Sequence, residues 1–179
     1  MDFKDIKLIP ESNYWVNYRF CSIENFIKDT ISDIGLELDP DFQRGHVWTV
    51  EQQTAYIESI IREIIQDTDI VIRFNARDYM AFQDSTDTDL PKTMQCVDGL
   101  QRLTAIRKYM KGKLKPFGKT FEEIENSPLA IARKRNICVK VYNIKYRKDL
   151  IKFYYDLNFG GTQHTESEKE RILGLMEND

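Results

Sequence analysis

The sequence predicts an α+β fold, in which a small mixed sheet is surrounded by helices. Three patterns favour this fold class. Isoleucines recur at three- and four-residue steps over 57–65, which is the period of a helix that packs on a core. Residues 69–74 are rich in β-branched side chains, as buried strands are. Residues 137–142 alternate apolar and polar side chains, which is typical of a half-buried strand.

Length and composition fit a single domain over residues 1–179. A chain of 179 residues that is 41% hydrophobic can bury a core of its own. No segment approaches the roughly 20 apolar residues of a membrane span, and the N-terminus lacks the pattern of a signal peptide. We therefore expect a cytoplasmic protein with no membrane partner. The cysteines are too far apart for a disulfide framework or a zinc site, so we expect reduced core thiols at Cys21, Cys96 and Cys138.

The chain is expected to open with a strand, a helix and an irregular loop. Aromatic residues over 14–20 indicate a strand, and Ser22 then begins a helix that Gly35 ends. Residues 36–38 are expected to be extended. Proline, glycine and polar residues over 39–48 predict an irregular loop.

The next helix has the clearest start signal in the chain. Thr49 and Gln52 form a capping-box pattern before the isoleucine stripe. That stripe consists of Ile57, Ile60, Ile61, Ile64 and Ile65. After the strand at 69–74, we expect a hairpin with one arm at 79–83 and the other at 92–97.

The C-terminal half is predicted to contain four helices, one strand and a polar glycine-bearing loop. In chain order these are a helix at 103–110, a short helix from Thr120 that ends at Pro128, a strand at 137–142, a helix at 148–157, a loop at 158–164 and a helix at 165–176.

The turn from the strand at 92–97 into the helix at 103–110 has two interpretations. A glycine at this turn would place Asp98, Gln101 and Arg102 around a helix N-terminus. Free backbone N–H groups and the positive end of the helix dipole favour an anion such as phosphate there. The alternative is that Asp98 is only the N-cap, with Gln101 completing a pair like a capping box. The sequence pattern of this turn leaves both open.

The net charge of −3 conceals a basic block. Residues 1–101 carry a charge of −10, residues 102–148 carry +11, and residues 149–179 carry −4. A local positive potential attracts polyanions such as nucleic acid. The candidate contacts are Lys111, Lys113, Lys115, Lys119, Arg133, Lys134 and Arg135. The alternative is a lysine-rich solvated helix face and loop.

Three loops in order carry a resemblance to a known family. They are Pro-Asp-Phe-Gln-Arg at 40–44 with Val-Trp at 47–48, Val-Asp-Gly-Leu-Gln-Arg-Leu-Thr at 97–104, and Asn-Phe-Gly-Gly-Thr at 158–162. Together they resemble the N-terminal domain of GmrSD-type modification-dependent restriction systems. The resemblance covers residues 36–174, leaving residues 1–35 as an N-terminal extension packed on that domain. It implies a ParB/sulfiredoxin-like fold.

The resemblance also implies a function and a partner. Members of this family bind and hydrolyse a nucleoside triphosphate (NTP) and use that cycle to regulate cleavage of DNA. A separate HNH-type nuclease domain makes the cut, and the two histidines, His46 and His164, do not form such a centre here. The resemblance thus indicates a bacterial or phage-encoded domain that acts in restriction, defence or counter-defence.

Roles follow for the residues that match the family's signature. Arg102 suits a phosphate, since its guanidinium can bind bidentately and stabilise developing charge. Gly99 would let phosphate approach the backbone. Asp98 could hold Mg²⁺ or orient a water, and Gln101 could orient water or read a base edge. Asp98, Gln101 and Arg102 are therefore the predicted catalytic residues.

The other two loops supply further candidates for the nucleotide. Gln43 and Arg44 are the expected second phosphate or DNA contacts. Asn158, Gly160 and Gly161 are expected to close the pocket, although a helix C-cap turn explains the same pattern. For the aromatic residues of the first loop, Phe42 and Trp48, core packing is favoured over base stacking.

The signature departs from the family's usual Asp-Gly-Gln-Gln-Arg at one position, where Leu100 replaces the first glutamine. If that amide positions water or a metal ion in relatives, hydrolysis here is slow or absent and nucleotide binding remains. A non-hydrolytic DNA-binding module is the alternative function. A ParB-like nuclease ranks last, because no cluster of carboxylates or histidines accompanies Arg102 in the sequence.

Overall fold

The computed structural model describes residues 8–43, 45, 47–77, 87–159, 170–171 and 173–175. Five strands make one sheet: β1 (Tyr14–Arg19), β2 (Leu36–Glu37), β3 (Val71–Asn75), β4 (Met94–Asp98) and β5 (Asn136–Tyr142). The helices are α1 (Ile23–Asp33), α2 (Val50–Ile61), α3 (Leu100–Met110), α4 (Phe121–Glu125) and α5 (Arg147–Phe159). Short 3-10 turns lie at Phe20–Ser22, Asp67–Asp69 and Pro116–Gly118, and residues 170–171 and 173–175 are helical. The predicted α+β class and mixed sheet are confirmed.

The sheet has the strand order β1-β5-β3-β4-β2. The pairs β1/β5 and β3/β4 are antiparallel, whereas β5/β3 and β4/β2 are parallel. The β3/β4 register shifts between Arg73 and Phe74, and this irregularity sets Arg73 opposite Asp98. Two charged side chains are thereby brought together at the end of β4.

Two apolar clusters cover the two faces of the sheet. The larger one joins α1, α2 and α3 to side chains such as Cys96 and Val141. Their neighbours in the strands, Val97 and Tyr142, point the other way and pack with Phe42 and α5. The core therefore has helices on both sides, and Phe42 in the loop before α2 belongs to the smaller cluster.

Helix α2 begins where the sequence predicts and ends earlier than the isoleucine stripe suggests. The Thr49 hydroxyl accepts the Gln52 N–H at 3.3 Å, and the Gln52 side chain accepts the Thr49 N–H at 2.9 Å. Glu63 adopts φ +61, a left-handed conformation that cannot continue the helix. The prediction that Ile64 packs on the core from this helix is therefore wrong, and its side chain is exposed.

Three other predicted elements have different limits in the structure. Residues 67–69 form a 3-10 turn, so the strand predicted from 69 begins at Val71. The second arm of the predicted hairpin is β4, which pairs with β3, and the first arm at 79–83 lies outside the described residues. Helix α5 continues through Asn158, whose side-chain amide donates to the Tyr154 carbonyl at 2.8 Å, so the predicted loop does not start there.

The cysteine prediction is confirmed for one thiol and wrong for another. Cys96 is fully buried, and that burial raises its pKa to about 12. Cys138 is partly buried, but Cys21 is exposed on the turn before α1. Among the described residues, no helix is both long and apolar enough to span a membrane.

Candidate functional site at the start of α3

The predicted strand–glycine–helix turn is confirmed. Strand β4 ends at Asp98, Gly99 turns the chain with φ +98, and α3 begins at Leu100. A Cβ on Gly99 would lie 2.7 Å from the Ile72 Cδ1 atom and 3.0 Å from the Val71 carbonyl oxygen. The absence of a side chain thus lets the turn pack directly on β3.

Asp98 binds two arginines and does not cap the helix. Its Oδ2 atom accepts from Nη1 of Arg73 at 2.6 Å. Its Oδ1 and Oδ2 atoms accept from Nη2 of Arg102 at 2.8 and 3.0 Å. The N-cap of α3 is Gly99, which has no side chain with which to cap the helix. The N-cap alternative for Asp98 is therefore wrong, and the three side chains carry a net charge of +1.

Gln101 holds the loop that precedes α2. Its Oε1 atom accepts the backbone N–H groups of Val47 and Trp48, each at 3.1 Å. Its Nε2 atom donates to the Gly45 carbonyl at 2.8 Å. The side-chain amide thus bonds to this loop as a neighbouring strand would, and it does not complete a capping box with Asp98.

The same loop is anchored by its aromatic side chains. Phe42 is completely buried, with its ring centroid 5.5 Å from that of Tyr154. Trp48 is partly buried, and its ring centroid lies 5.2 Å from that of Tyr56. Core packing, which the sequence favoured for both aromatic residues, is confirmed. Gln43 also donates its side-chain amide to the Cys96 carbonyl, which joins the loop to β4.

Two arginines from the C-terminal part hold the other end of the loop. Nη1 and Nη2 of Arg147 donate to the Asp41 carboxylate at 3.1 and 2.9 Å. Nη2 of Arg171 donates to the Phe42 carbonyl at 2.8 Å. The loop is thereby bound to α3, to α5 and to the C-terminal helical segment.

A cleft with a volume of about 180 Å³ lies between this loop, the start of α3 and the end of α5. Its walls include six of the residues singled out from the sequence, namely Gln43, Asp98, Gly99, Gln101, Arg102 and Asn158. The other predicted nucleotide contacts, Arg44, Gly160 and Gly161, lie outside the described residues. Leu100 and Trp48 add apolar surface to the cleft.

Two residues near the cleft were missed by the sequence reasoning. Arg73 carries the only charge within the apolar run of β3, and that isolated charge was the available signal. Tyr56 gave no signal, because it follows the helical pattern of α2. Its buried hydroxyl has no hydrogen-bond partner within the described part of the chain. Burial raises the pKa of Tyr56 to about 12, against the opposing effect of the Arg102 charge.

Comparison with known families shows to which protein family the chain belongs. The family model of the GmrSD restriction endonuclease N-terminal domain matches residues 23–174. The chain belongs to this family. Neither the curated proteins nor the solved structures gave a match. Membership implies a role in DNA restriction or defence, within a system that contains a nuclease.

The match of the GmrSD N-terminal domain begins inside the segment expected to be an extension. It includes α1, whose Phe26 and Ile27 are buried in the larger core cluster. Strand β1 precedes the match and pairs with β5 along its whole length. Residues 14–35 are thus part of the sheet and core.

The described residues of this GmrSD N-terminal domain do not make a magnesium site on their own. Both oxygens of Asp98 accept hydrogen bonds from guanidinium groups. No group of three or more aspartate, glutamate, histidine or cysteine residues lies together in the described ranges. Mg²⁺ prefers several oxygen ligands, so one doubly paired carboxylate is a poor substitute.

The predicted nucleic-acid contacts have different surroundings. Lys113 and Lys115 are exposed, whereas the Nζ atom of Lys119 lies 3.0 Å from a Glu123 carboxylate oxygen. Arg135 is largely buried and donates to the Ile60 carbonyl at 3.2 Å. The remaining three contacts are exposed: Lys111 with its Nζ 3.4 Å from Glu24, Lys134 with its Nζ on the Pro128 carbonyl, and Arg133. The 111–119 loop is therefore the more accessible part of the basic segment.

Replacing Gly99 by alanine should lower the free energy of unfolding by about 2–5 kcal/mol. A left-handed backbone costs a non-glycine residue about 1–2 kcal/mol, and overpacking costs about 1–3 kcal/mol more. Chemical denaturation measures the loss. Gly118→Ala is the matched control. Gly118 also has a positive φ, +72, but nothing lies within 4 Å of the position that an added Cβ would occupy. Equal losses in the two variants would contradict a steric requirement at Gly99.

Replacing Gln101 by alanine should accelerate hydrogen exchange at the Val47 and Trp48 amides. Both N–H groups donate to the Gln101 side chain, so its removal leaves them to solvent. Exchange measured by mass spectrometry or NMR would report the change. Gln52→Ala should instead affect the Thr49 amide, which donates to the Gln52 side chain. Unchanged protection of Val47 and Trp48 in Gln101→Ala would count against this role.

Proposed function

We propose that this domain binds the phosphate end of an NTP in the cleft at the start of α3. It would do so as the regulatory part of a restriction system whose nuclease is a separate unit. The observation that carries the proposal is the α3 N-terminus, whose N-cap Gly99 has no side chain and which lies beside Arg102 in the cleft. The backbone N–H groups at a helix start, the helix dipole and a guanidinium all favour a bound anion.

The charge balance at the turn supports an anionic ligand. Asp98 neutralises one of its two arginine partners, which leaves one positive charge in excess. Arg102 uses only Nη2 toward Asp98, and within the described residues its Nη1 and Nε groups have no hydrogen-bond partner. A guanidinium can donate five hydrogen bonds, so Arg102 keeps donors for a phosphate while Asp98 fixes its orientation.

The size of the cleft favours the phosphate end over the whole nucleotide. Its volume of about 180 Å³ is below the roughly 300–1,000 Å³ of typical small-molecule sites. Phosphates would therefore occupy the cleft formed by the described residues, and the nucleoside would extend beyond it. This fits binding through the phosphates, which all nucleoside triphosphates share.

Hydrolysis is expected to be slow. Breaking the bond between the β- and γ-phosphates needs a positioned water and stabilisation of the departing charge. Asp98 and Gln101, the predicted catalytic partners of Arg102, use their oxygens on the two arginines and on the Val47 and Trp48 amides. Leu100 replaces the signature glutamine and is only 7% exposed. Because both oxygens of Asp98 already accept hydrogen bonds from arginines, any Mg²⁺ would enter the cleft bound to the phosphates.

Addition of ATP or GTP should raise the melting temperature of the full chain by about 5–10 °C. A ligand at about 100 times its Kd stabilises the folded state by about 2.7 kcal/mol, and a domain of this size gains about 2–4 °C per kcal/mol. Inorganic triphosphate should produce part of the same shift. Arg102→Ala should abolish it, because the phosphate donor is lost. Phosphate release with Mg²⁺ should stay below about 1 s⁻¹, the low end of enzyme rates.

The matched control for this experiment is Arg107→Ala on the same helix. Arg107 pairs with Glu24 on α1, outside the cleft, so this variant should keep the shift. Absence of a shift with every nucleotide and with triphosphate would refute the proposal. An equal shift in Arg102→Ala and the parent protein would place the ligand elsewhere.

DNA binding is the second candidate function, and the exposed lysines of the 111–119 loop favour it. Lys111, Lys113, Lys115 and Lys119 point to solvent along one short segment. Each lysine that contacts a phosphate releases a counterion, which makes affinity fall as salt rises. This function needs no nucleotide and is compatible with a role in restriction.

Affinity for duplex DNA should fall with salt along a log–log slope of about −3 to −4, as expected for four phosphate contacts. The double variant Lys113→Ala/Lys115→Ala should reduce that slope by about 2, because each contact contributes about 0.9. Titration of a labelled duplex at several salt concentrations gives the slope. Lys28→Ala removes an exposed lysine of α1 and should leave the slope unchanged. Binding that is independent of salt, or absent at low salt, would reject this function.

A further inference from the structure

The loop after α3 alternates buried and exposed side chains. Leu114 and Pro116 are buried, whereas Lys113, Lys115 and Phe117 are exposed. Backbone hydrogen bonds order the segment, including Lys113 N–H to the Lys108 carbonyl at 2.9 Å. The loop is therefore fixed to the core by its apolar side chains and presents two lysines and one aromatic ring to solvent.

Phe117 has an unusual backbone conformation for its size. Its φ of +54 and ψ of +25 lie in the left-handed region, which bulky side chains rarely adopt. The Phe117 N–H donates to the Glu58 side chain of α2 at 2.7 Å, and the Gly118 N–H donates to the Lys115 carbonyl at 3.0 Å. These bonds fix the backbone at Phe117, and 47% of the residue is exposed.

The conformation of Phe117 makes phenylalanine an unusual residue at this position. A left-handed position is better suited to glycine or asparagine, which adopt it at lower cost. Phe117 is about half buried, and the rest of the residue remains in solvent. The exposed part of an aromatic ring on an ordered backbone offers a surface on which a base can stack.

The charges around the ring favour an anionic partner. Lys113, Lys115 and Lys119 flank Phe117 in the sequence, and Glu58 and Glu123 are carboxylates that contact residues of this segment. Glu58 accepts the Phe117 N–H, and Glu123 lies 3.0 Å from the Lys119 Nζ. Lys113 and Lys115 make no ion pair with any of the described residues, so they are available to a phosphate backbone.

We propose that Phe117 stacks on an unpaired base of a nucleic acid whose phosphates contact Lys113 and Lys115. The inference rests on the second candidate function and specifies its substrate as a single-stranded or locally opened segment. An aromatic ring beside positive charges is the arrangement by which proteins bind single strands without reading sequence. Insertion into a membrane is less favoured, because a stable anchor needs several apolar side chains together.

A labelled short oligothymidylate tests the proposal with the full chain. Phe117→Asn should weaken binding about 5- to 100-fold, the range measured when one stacking side chain is removed. The melting temperature should change little, because asparagine tolerates the left-handed backbone but buries less apolar area. Phe117→Trp should keep the affinity, and its fluorescence should be quenched when the oligonucleotide binds. Oligouridylate should behave alike, since the ring and the charges recognise features common to both.

Trp15→Asn is the matched control, since Trp15 is an exposed aromatic residue of the edge strand β1, and it should bind like the parent protein. Equal affinity of Phe117→Asn and the parent, or no quenching in Phe117→Trp, would overturn the stacking role. Salt-dependent duplex binding that ignores Phe117 would overturn this inference and leave the second candidate function intact. Failure of both single strand and duplex to bind would remove both. Binding to phosphatidylglycerol vesicles through Phe117, without oligonucleotide binding, would favour a membrane and refute the proposal.

Discussion

The carboxylate of Asp98 is the interaction on which the rest of the site depends. It lies between Arg73 and Arg102, and its side chain is only 16% exposed. Two guanidinium groups so close would repel each other without it, and leaving a partly buried charge unpaired is strongly destabilising. The irregular β3/β4 register sets Arg73 opposite Asp98, and the glycine turn starts α3 so that Arg102 reaches back by one helical turn. The sheet, the turn and the helix thus all orient one arginine at the cleft.

Gln101, in the same turn of α3, holds the loop before α2 in place. Arg102 faces the cleft, while its neighbour Gln101 holds the loop that forms the opposite wall. The signature sequence therefore combines a guanidinium that faces the cleft with an amide that holds the loop.

Features that depend on neighbouring residues could be predicted from the sequence. Contacts between residues far apart in the sequence could not. The α2 capping box and the turn at Gly99 depend on residues within four positions of each other, so the sequence displays them directly. Arg73 lies 25 positions from Asp98, and the partners of Gln101 lie 53 to 56 positions away, so no local pattern encodes these contacts. The end of a helix was predicted wrongly where the backbone conformation of one residue stops it, as the positive φ of Glu63 stops α2.

The loop before α2 has a consequence for the order in which the protein assembles. Its hydrogen-bond partners lie 53 to 56 positions away in α3, 106 positions away at Arg147 and 130 positions away at Arg171. Contacts so far apart in sequence form late, because long segments must be ordered before they meet. The N-terminal elements are synthesised first. The hydrogen bonds from Arg171 to the Asp41 and Phe42 carbonyls can therefore form only after Arg171 has left the ribosome. The wall of the cleft is therefore complete only after residue 171 has been synthesised, and a shorter nascent chain lacks part of it.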